Sequence, residues 1–389
     1  MAVEVRWDER RRVWYARKYL GRVAGRKVYP RRSFPAAAGR AEAQAMADAW
    51  ERHLTADGRV RSALVADLAA EYVAVREAAG VAPNTVRAWR SYLRLHVAPR
   101  IGRMVASEVT ALDLTALERE LAAPAPEGAG LSRTTVRCVH EFLAGFFDWC
   151  VSVGLCDANP ARSVARVRPD RHEARWLSDW DYPAVADALA SAMRGGAPRE
   201  AACAAAAWLA LHAGLRVGEA CALRVRDLDR ARRRLRVGGT VVEARGRAPV
   251  RVGKTKGGRS RTVALTEGDL AELSAYVERT RGWFGRAGGD RPLCSVDGSA
   301  VPLRPTAASR WFSALARSLG LPGGTRFHEL RHTHATWCLA HGVDAKTLSE
   351  RMGHADVATT LRIYAHVMDG RDEAAATAFE RAAAEAAGQ

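Results

Sequence analysis

The chain has 389 residues, and its 48% hydrophobic content suits roughly two or three packed domains and excludes a disordered chain. Lys and Arg number 60 against 43 Asp and Glu, a formal charge of +17 at pH 7. This surplus favours a polyanionic partner over a merely basic surface, because cations beside phosphates release counterions. The seven cysteines include no C-x-x-C pair, and no run of about 18 apolar residues occurs. We therefore expect a cytoplasmic protein without a disulfide framework or membrane span.

Residues 1–60 hold fourteen Lys or Arg, seven Asp or Glu and several Trp and Tyr. Alternating apolar and basic residues around a charged turn predict a hairpin in the first twenty residues. "RKVYPRRSF" is expected to add a third strand, and "GRAEAQAMADAWERHLT" a helix on that sheet. Basic strands with aromatic side chains can enter a DNA groove, although a small basic sheet without a partner is the alternative. The candidate DNA contacts are Arg11, Arg12, Arg17 and Lys18.

Residues 62–165 are predicted to be helical throughout, because apolar residues recur at three- and four-residue spacings. Thr110 and Asp113 resemble a capping box at the start of one helix. Ser132 opens another, whose apolar face comprises Val136, Val139, Leu143, Phe146, Phe147 and Cys150. The Asn-Pro-Ala sequence at 159–161 closes this helical domain, since the residue before proline disfavours helix.

Residues 166–176 are charged, contain proline and lack an apolar period, which indicates a linker. From 177 to 389 the chain is predicted to be mainly helical, interrupted by one small basic sheet with glycine turns and alternating valines. The end of the chain has strong helix propensity but few large apolar residues. The fold class that follows is α+β, mainly α with small β-sheets.

The segment "HELRHTH", residues 328–334, concentrates three histidines and an arginine in a helical stretch. A metal site would need anchoring carboxylates or thiolates, and the nearby Glu329 lies on a different helical face from His328. Arg331 would also place a permanent positive charge beside the metal. His328 and Arg331 share a face, and arginine offers a bidentate fork to a phosphate. We interpret the pair as half of a phosphate clamp.

Two other stretches supply matching cationic groups. "GLRVGE" places Arg216 at the start of a short helix with Glu219 one turn later, and helix amides together with an arginine favour an anion. "GKTKGGRS" holds Lys254 and Lys256 in a glycine-rich turn that can reach a DNA strand, followed by Arg259 as a further candidate contact.

A third stretch supplies a nucleophile. His354 follows a helix stop at Gly353, and Tyr364 comes ten residues later. A phenol has a pKa of about 10, so Tyr364 needs cationic neighbours or a base to attack at neutral pH. Simple packing is the alternative for a lone tyrosine, but the whole set of residues favours a reacting site.

Taken together, these motifs resemble those of the tyrosine recombinase (phage integrase) family. The family's first box, G-L-R-x-x-E, is present at 214–219. Its second box is present as "HELRHTHAT" and "RMGH" followed by Tyr364, with Met352 in place of the usual Leu. The resemblance covers nearly the whole chain, including an N-terminal unit like the arm-DNA-binding domain of heterobivalent integrases.

The resemblance implies three domains, namely an arm-type DNA-binding domain at 1–60, a SAM-like core-binding domain at 62–165 and a catalytic domain at 177–389. It also implies a role for each candidate residue. Arg216 and Arg331 would grip the scissile phosphate, and Glu219 would buttress them. Tyr364 would form a 3′-phosphotyrosyl bond. Lys256, preferred to Lys254, would protonate the leaving 5′-oxygen, with His328 assisting proton transfer and His354 bonding the phosphate.

The same resemblance implies the partners. They would be double-stranded DNA with core-type and arm-type attachment sites, and an excisionase or host DNA-bending protein in a bacterial nucleoid. The chain itself would be a monomer in solution and a homotetramer on DNA. No cofactor or metal is expected, because a phosphotyrosine retains the energy of the phosphodiester. His332 and His334 would then pack or support the site.

Three other interpretations remain open at this point. A type IB topoisomerase would share the nucleophile and the cationic clamp. A catalytically silent DNA-binding protein would share the fold, although the full set of candidate residues argues against it. A metal-dependent nuclease would need an acidic cluster that the motif region does not show.

Overall fold

The computed structural model describes residues 3–23, 26–36, 38–55, 60, 63–168, 175–243, 246–253, 260–285, 288–354, 356–364 and 372–386. The chain divides into an N-terminal unit, 1–171, and a C-terminal unit, 172–389. Over these described ranges, no helix is both long enough and apolar enough to cross a membrane.

The N-terminal unit begins with a small antiparallel sheet, as the alternating sequence predicted. Its strands are β1 (Arg6–Asp8), β2 (Val13–Arg17) and β5 (Arg31–Phe34), in the order β1-β2-β5. A separate hairpin joins β3 (Gly21–Val23) to β4 (Arg26–Val28). The expected third strand is therefore divided, because "RKVYPRRSF" contributes to both β4 and β5. Helix α1 (Arg40–His53) follows and buries Trp50.

The helices of the same unit follow the predicted apolar spacing. They are α2 (Val65–Ala78), α3 (Pro83–Tyr92), a π-helical turn (Leu93–Val97), α4 (Ala98–Ile101), α5 (Ala111–Ala122) and α6 (Arg133–Val153). The capping box of Thr110 and Asp113 opens α5, and the Ser132 hydroxyl caps α6. Both predicted helix starts are confirmed.

One hydrophobic core joins the sheet and the helices of the N-terminal unit. Phe34 and Trp50 belong to the same buried cluster as Phe142, Phe146 and Phe147 of α6. A polar contact reinforces this packing, because Arg32 of β5 donates to the carbonyl oxygen of Ser152 at 2.9 Å. The first 60 residues and the helices thus share apolar surface that each would otherwise expose.

In its described residues, the C-terminal unit is mainly helical with two small antiparallel sheets. Its helices are α7 (Asp181–Gly195), α8 (Pro198–Ala213), α9 (Val217–Ala222), α10 (Glu267–Phe284), α11 (Pro305–Ser318), α12 (Phe327–Ala340), α13 (Ala345–Met352), α14 (Val357–Tyr364) and α15 (Asp372–Ala386). The strands β6 (Leu228–Asp229), β7 (Arg234–Val237) and β10 (Arg261–Ala264) form one sheet, and β8 (Thr240–Val242) pairs with β9 (Val250–Val252). The predicted basic sheet is therefore present as two sheets.

Helix α8 is the centre of this unit and is buried nearly all round. Its alanine-rich sequence allows α7, α11 and α12 to pack closely against it. The helix ends at Gly214, which adopts a left-handed φ of 67°. A side chain at this position would also meet His334 and Met352, with a Cβ 2.8 Å from each. The turn therefore requires glycine, and it delivers the next residues to the candidate site.

Candidate active site

The turn after α8 places Arg216 at the start of α9. Its backbone N–H donates to Glu219 Oε2 at 3.0 Å, and its guanidinium donates to Glu219 Oε1 at 2.9 Å. A third bond, 3.1 Å long, reaches the carbonyl oxygen of Gly353. Arg216 is half-buried. The first predicted motif thus forms a single hydrogen-bonded turn.

Glu219 is the point at which several arginines meet. Its side chain is almost fully buried, and Arg261 of β10 donates to its two oxygens at 2.8 and 3.1 Å. Arg331 lies 3.9 Å from the same carboxylate. Burial by itself would raise the pKa of Glu219, but the hydrogen bonds and charge of Arg261, with the charge of Arg216, hold it below its ordinary value.

Helix α12 carries Arg331 into the interior of the unit. Its guanidinium donates to the carbonyl oxygen of Gly214 and, at 2.6 Å, to that of Met352. Burial and the charge of Arg216 lower the pKa of Arg331 to about 9, so the group is still cationic at pH 7. The buried charge is stabilised by carbonyl dipoles and by Glu219.

His354 follows α13, which ends at Gly353 with a left-handed φ of 63°. Its Nδ1 lies 2.7 Å from the Thr360 hydroxyl of α14. Burial and the neighbouring arginine charges lower the pKa of His354 to about 4, so the imidazole is neutral at pH 7. A neutral imidazole in this position can donate a hydrogen bond to an anion without adding charge.

Tyr364 ends α14 and lies against α12. Its side chain is buried, and its Oη is 2.6 Å from Nδ1 of His332. His332 in turn packs edge-on against His328, with ring centroids 4.6 Å apart. Burial raises the pKa of Tyr364 to about 12, although the charge of Arg331 acts in the opposite direction. Burial and the charge of His328 lower the pKa of His332 to about 4.

The structure therefore brings together the predicted residues of both motifs. Arg216 and Arg331 meet at Glu219, and the charges of these arginines act on the pKa of His354 while that of Arg331 acts on the pKa of Tyr364. His328 joins them through His332 at the exposed start of α12. Lys254, Lys256 and Arg259 lie outside the described residues.

The candidate DNA contacts of the first 60 residues belong to the N-terminal unit. Arg11 and Arg12 lie in the exposed turn between β1 and β2, and Arg17 is exposed at the end of β2. Lys18 is half-buried and forms an ion pair with Glu51. Glu51 therefore neutralises part of the Lys18 charge within the fold.

The structure also shows supporting residues that the sequence did not single out. Arg261 binds Glu219 and donates to the carbonyl oxygen of Arg351 at 2.7 Å. Arg351 donates to Nε2 of His334 at 2.9 Å, which fits the predicted supporting role of that histidine. The sequence feature that could have indicated Arg261 is strand alternation. Arg261 lies two residues before buried Val263 and therefore on the same face of β10.

The chemistry of this site suits an anion. Guanidinium groups surround one carboxylate, and the nearby His332 and His354 are neutral donors or acceptors at pH 7. Over the residues that the structure describes, no three His, Cys, Asp or Glu side chains are grouped as a metal ion would require. Tyr364 lies near enough to Arg331 for the charge of that arginine to act on its pKa, so an anion bound by Arg331 would be near a phenol.

Two family matches cover most of the chain. Residues 179–371 match the Phage integrase family, and residues 65–167 match the Phage integrase central domain. The chain is 31% identical to the tyrosine recombinase XerC of Rhodospirillum centenum over 298 residues, which are 73% of this chain and 77% of that protein. XerC of Mycobacterium tuberculosis is 30% identical over 77% of this chain and 93% of that protein. The chain belongs to the phage integrase family, the tyrosine recombinases.

Solved structures show the same fold. The Tn1549 transposon integrase in complex with a circular intermediate DNA aligns with 82% of this chain and 100% of that chain, with a TM-score of 0.66 and 21% identity. A lambda integrase dimer bound to a COC′ core site aligns with 80% of this chain and 97% of that chain, with a TM-score of 0.55 and 15% identity. The predicted family and α+β fold class are confirmed.

The Glu219 carboxylate should stabilise the folded state through its arginines. We expect Glu219→Gln to lower the free energy of unfolding by about 3–5 kcal/mol at pH 7, because it leaves buried guanidiniums without their anion. The pKa of Glu219 is depressed in the folded protein, so this stabilisation is complete above its ordinary value of 4.5 and is lost as the pH falls through the lower folded value.

Urea unfolding at several pH values measures both effects. Glu278→Gln is the matched control, because Glu278 pairs with Arg230 and Arg281 at the surface of the same unit. We expect no measurable change for it. A Glu219→Gln chain as stable as the wild type at pH 7 would contradict the proposed importance of the buried carboxylate.

Proposed function

We propose that this chain is a site-specific integrase of a phage or an integrative mobile element, which cuts and rejoins DNA through a 3′-phosphotyrosyl intermediate. The observation that carries the proposal is the placement of Arg216 and Arg331 around the buried Glu219 carboxylate, with His354 and Tyr364 near enough for the arginine charges to act on their pKa values. Such a set binds a phosphodiester and supplies a nucleophile to it in the same place.

The cationic groups stabilise the charge that develops during attack. Arg216 and Arg331 bind the non-bridging oxygens of the scissile phosphate, whose negative charge increases in the transition state. Both guanidiniums are already held in position, by Glu219, Gly214, Gly353 and Met352. Because these bonds hold both guanidiniums in place, little reorganisation is needed when the phosphate enters.

The covalent steps balance without an external energy source. The Tyr364 Oη forms a bond to phosphorus, its proton passes to water, and the bond from phosphorus to the 5′-oxygen breaks. Lys256 donates a proton to that oxygen, and His328 assists the proton transfer. The free 5′-hydroxyl of a partner duplex then loses its proton to Lys256 and attacks the phosphotyrosine. The bond from phosphorus to Tyr364 breaks, the phenol regains a proton from water, and the phosphodiester is restored. The arginines provide the charge stabilisation that metal ions provide in many other phosphoryl-transfer enzymes.

The comparisons support DNA as the substrate. The Tn1549 and lambda integrase structures were each solved with DNA, as circular intermediate and core-site complexes respectively. By analogy, we propose that this chain binds double-stranded core-type sites, acts on them as a homotetramer and is a monomer without DNA. An excisionase or a host DNA-bending protein would then set the direction of recombination.

The surface of the N-terminal sheet supports a second DNA contact. The Arg17 guanidinium lies 4.4 Å above the Tyr29 ring, and Arg31 lies 4.2 Å above the Tyr15 ring. Tyr19 packs beside Tyr29 and is 50% exposed. These basic and aromatic side chains line one cavity of about 800 Å³ on a three-stranded sheet. We propose that this surface binds arm-type DNA, with Arg11 and Arg12 in the adjoining turn.

Covalent capture tests the reaction. The purified chain is incubated in EDTA with genomic DNA fragments from its host, denatured, and recovered with any attached DNA, whose sequence defines the core site. We expect a nicked duplex of that site to trap the adduct, and Tyr364→Phe to abolish it. Tyr276→Phe is the matched control, because it removes the hydroxyl of another buried tyrosine in the same unit. Sequence-specific binding without an adduct would favour a silent DNA-binding protein.

The arm-type contact has its own test. Duplexes that the wild-type chain binds without covalent attachment serve as probes, and their affinity is measured at increasing KCl concentrations. Arg17→Gln should weaken binding and reduce the salt slope by about 1, as the loss of one phosphate contact does. Cleavage of the captured core site should be unchanged.

Arg52→Gln is the control for this measurement, since Arg52 forms an ion pair with Glu71 on the helical side of the same unit. Equal loss of arm binding and core cleavage in Arg17→Gln would contradict the division of labour between the two DNA contacts.

A further inference from the structure

His332 has a contact that its sequence position does not explain. It lies on α12 one residue after Arg331, and its Nδ1 is 2.6 Å from the Tyr364 Oη. The two rings are inclined at 59°, with centroids 5.7 Å apart, so they do not stack. The contact is therefore a directed hydrogen bond between a helix in the core of the unit and the proposed nucleophile.

The other histidines near the site have different partners. Nδ1 of His354 is occupied by Thr360, and His334 bonds both the Leu211 carbonyl oxygen and Arg351. His328 lies at the exposed start of α12. His332 is thus placed to control the orientation of the phenol from the same helix that carries Arg331.

The direction of this hydrogen bond matters for reactivity. At neutral pH the imidazole is uncharged, since burial lowers the pKa of His332 to about 4, and one of its ring nitrogens can accept. When the phenol donates to Nδ1, the lone pairs of Oη stay free to attack phosphorus. A histidine that donated to Oη would instead occupy a lone pair and weaken the nucleophile.

We propose that His332 is a positioning residue for Tyr364, whose Nδ1 accepts the phenolic hydrogen bond and fixes Oη for in-line attack on the phosphate held by Arg331. This inference rests on the proposed recombinase function and adds a residue to it. The helix makes the arrangement rigid, because Arg331 and His332 are adjacent on one backbone. Small displacements of a nucleophile reduce rates strongly, so the contact should be visible in the cleavage step.

Three substitutions test whether cleavage requires a hydrogen-bond acceptor at the position of Nδ1 or only a side chain that fills the same space. His332→Asn places an amide near the position of Nδ1, His332→Gln places it near Nε2, and His332→Phe keeps a ring without an acceptor. Single-turnover cleavage of the nicked core duplex should fall about 10- to 100-fold in the Phe and Gln variants. The Asn variant should stay within about threefold of the wild type. DNA affinity and melting temperature should be similar in all of them.

A modified DNA substrate shows whether a substitution impairs the attack by the nucleophile or the protonation of the leaving group. Sulfur in place of the 5′-bridging oxygen gives a leaving group that needs no general acid. Lys256→Ala is the matched control, because its cleavage should be restored by the sulfur substrate. The His332→Phe defect should persist, since it affects the nucleophile. Restoration of His332→Phe by sulfur, or equal rates for the Asn and Phe variants, would overturn the positioning role.

A second measurement does not depend on cleavage. In protein labelled with ¹⁵N-histidine, the Nδ1 resonance of His332 should be that of an unprotonated acceptor and should shift in Tyr364→Phe. An unchanged resonance would overturn the hydrogen bond itself. A wild-type chain that forms no DNA adduct would refute the proposed function and the inference with it, whereas normal cleavage by His332→Phe would refute the inference alone.

Discussion

The site depends on the ionic interaction between one buried carboxylate and the guanidiniums around it. A buried carboxylate without partners would be strongly disfavoured, and so would arginines brought this close without an anion. Glu219 resolves both problems, because Arg216 and Arg261 bond it directly and Arg331 lies 3.9 Å away. One negative charge against three positive charges leaves the cluster cationic. The folded protein is thus prepared for a further anion, which a DNA phosphate would supply.

This cluster also explains why distant parts of the chain must meet. The Gly214 turn, strand β10, helix α12 and the end of α13 each contribute a bond to the network. Several of these bonds join an arginine to a main-chain carbonyl, so they specify backbone positions as well as side chains. Left-handed glycines at 214 and 353 permit the close approaches. The precision of the site therefore comes from the packing of the C-terminal unit around α8.

Sequence reasoning reached most of the helices, the basic sheets and the order of the motif residues, because periodicity, caps and motif spacing are local properties. It did not single out Arg261, which is one of eleven Lys or Arg residues in the segment 232–266. It also gave His332 no contact with the nucleophile. That contact depends on how α14 packs against α12, and no local pattern encodes the meeting of two side chains that are 32 residues apart in the sequence. The division of "RKVYPRRSF" between two strands was likewise decided by pairing with other strands.

The tyrosine nucleophile is tested most directly by mass spectrometry of the peptide that remains on DNA after proteolysis of the denatured covalent complex. We expect a nucleotide joined through its 3′-phosphate to the peptide that contains Tyr364. Fragmentation of that peptide would place the added mass on the phenol. A nucleotide on another residue, or cut DNA with no peptide attached, would show that this cationic cluster does not serve a tyrosine nucleophile.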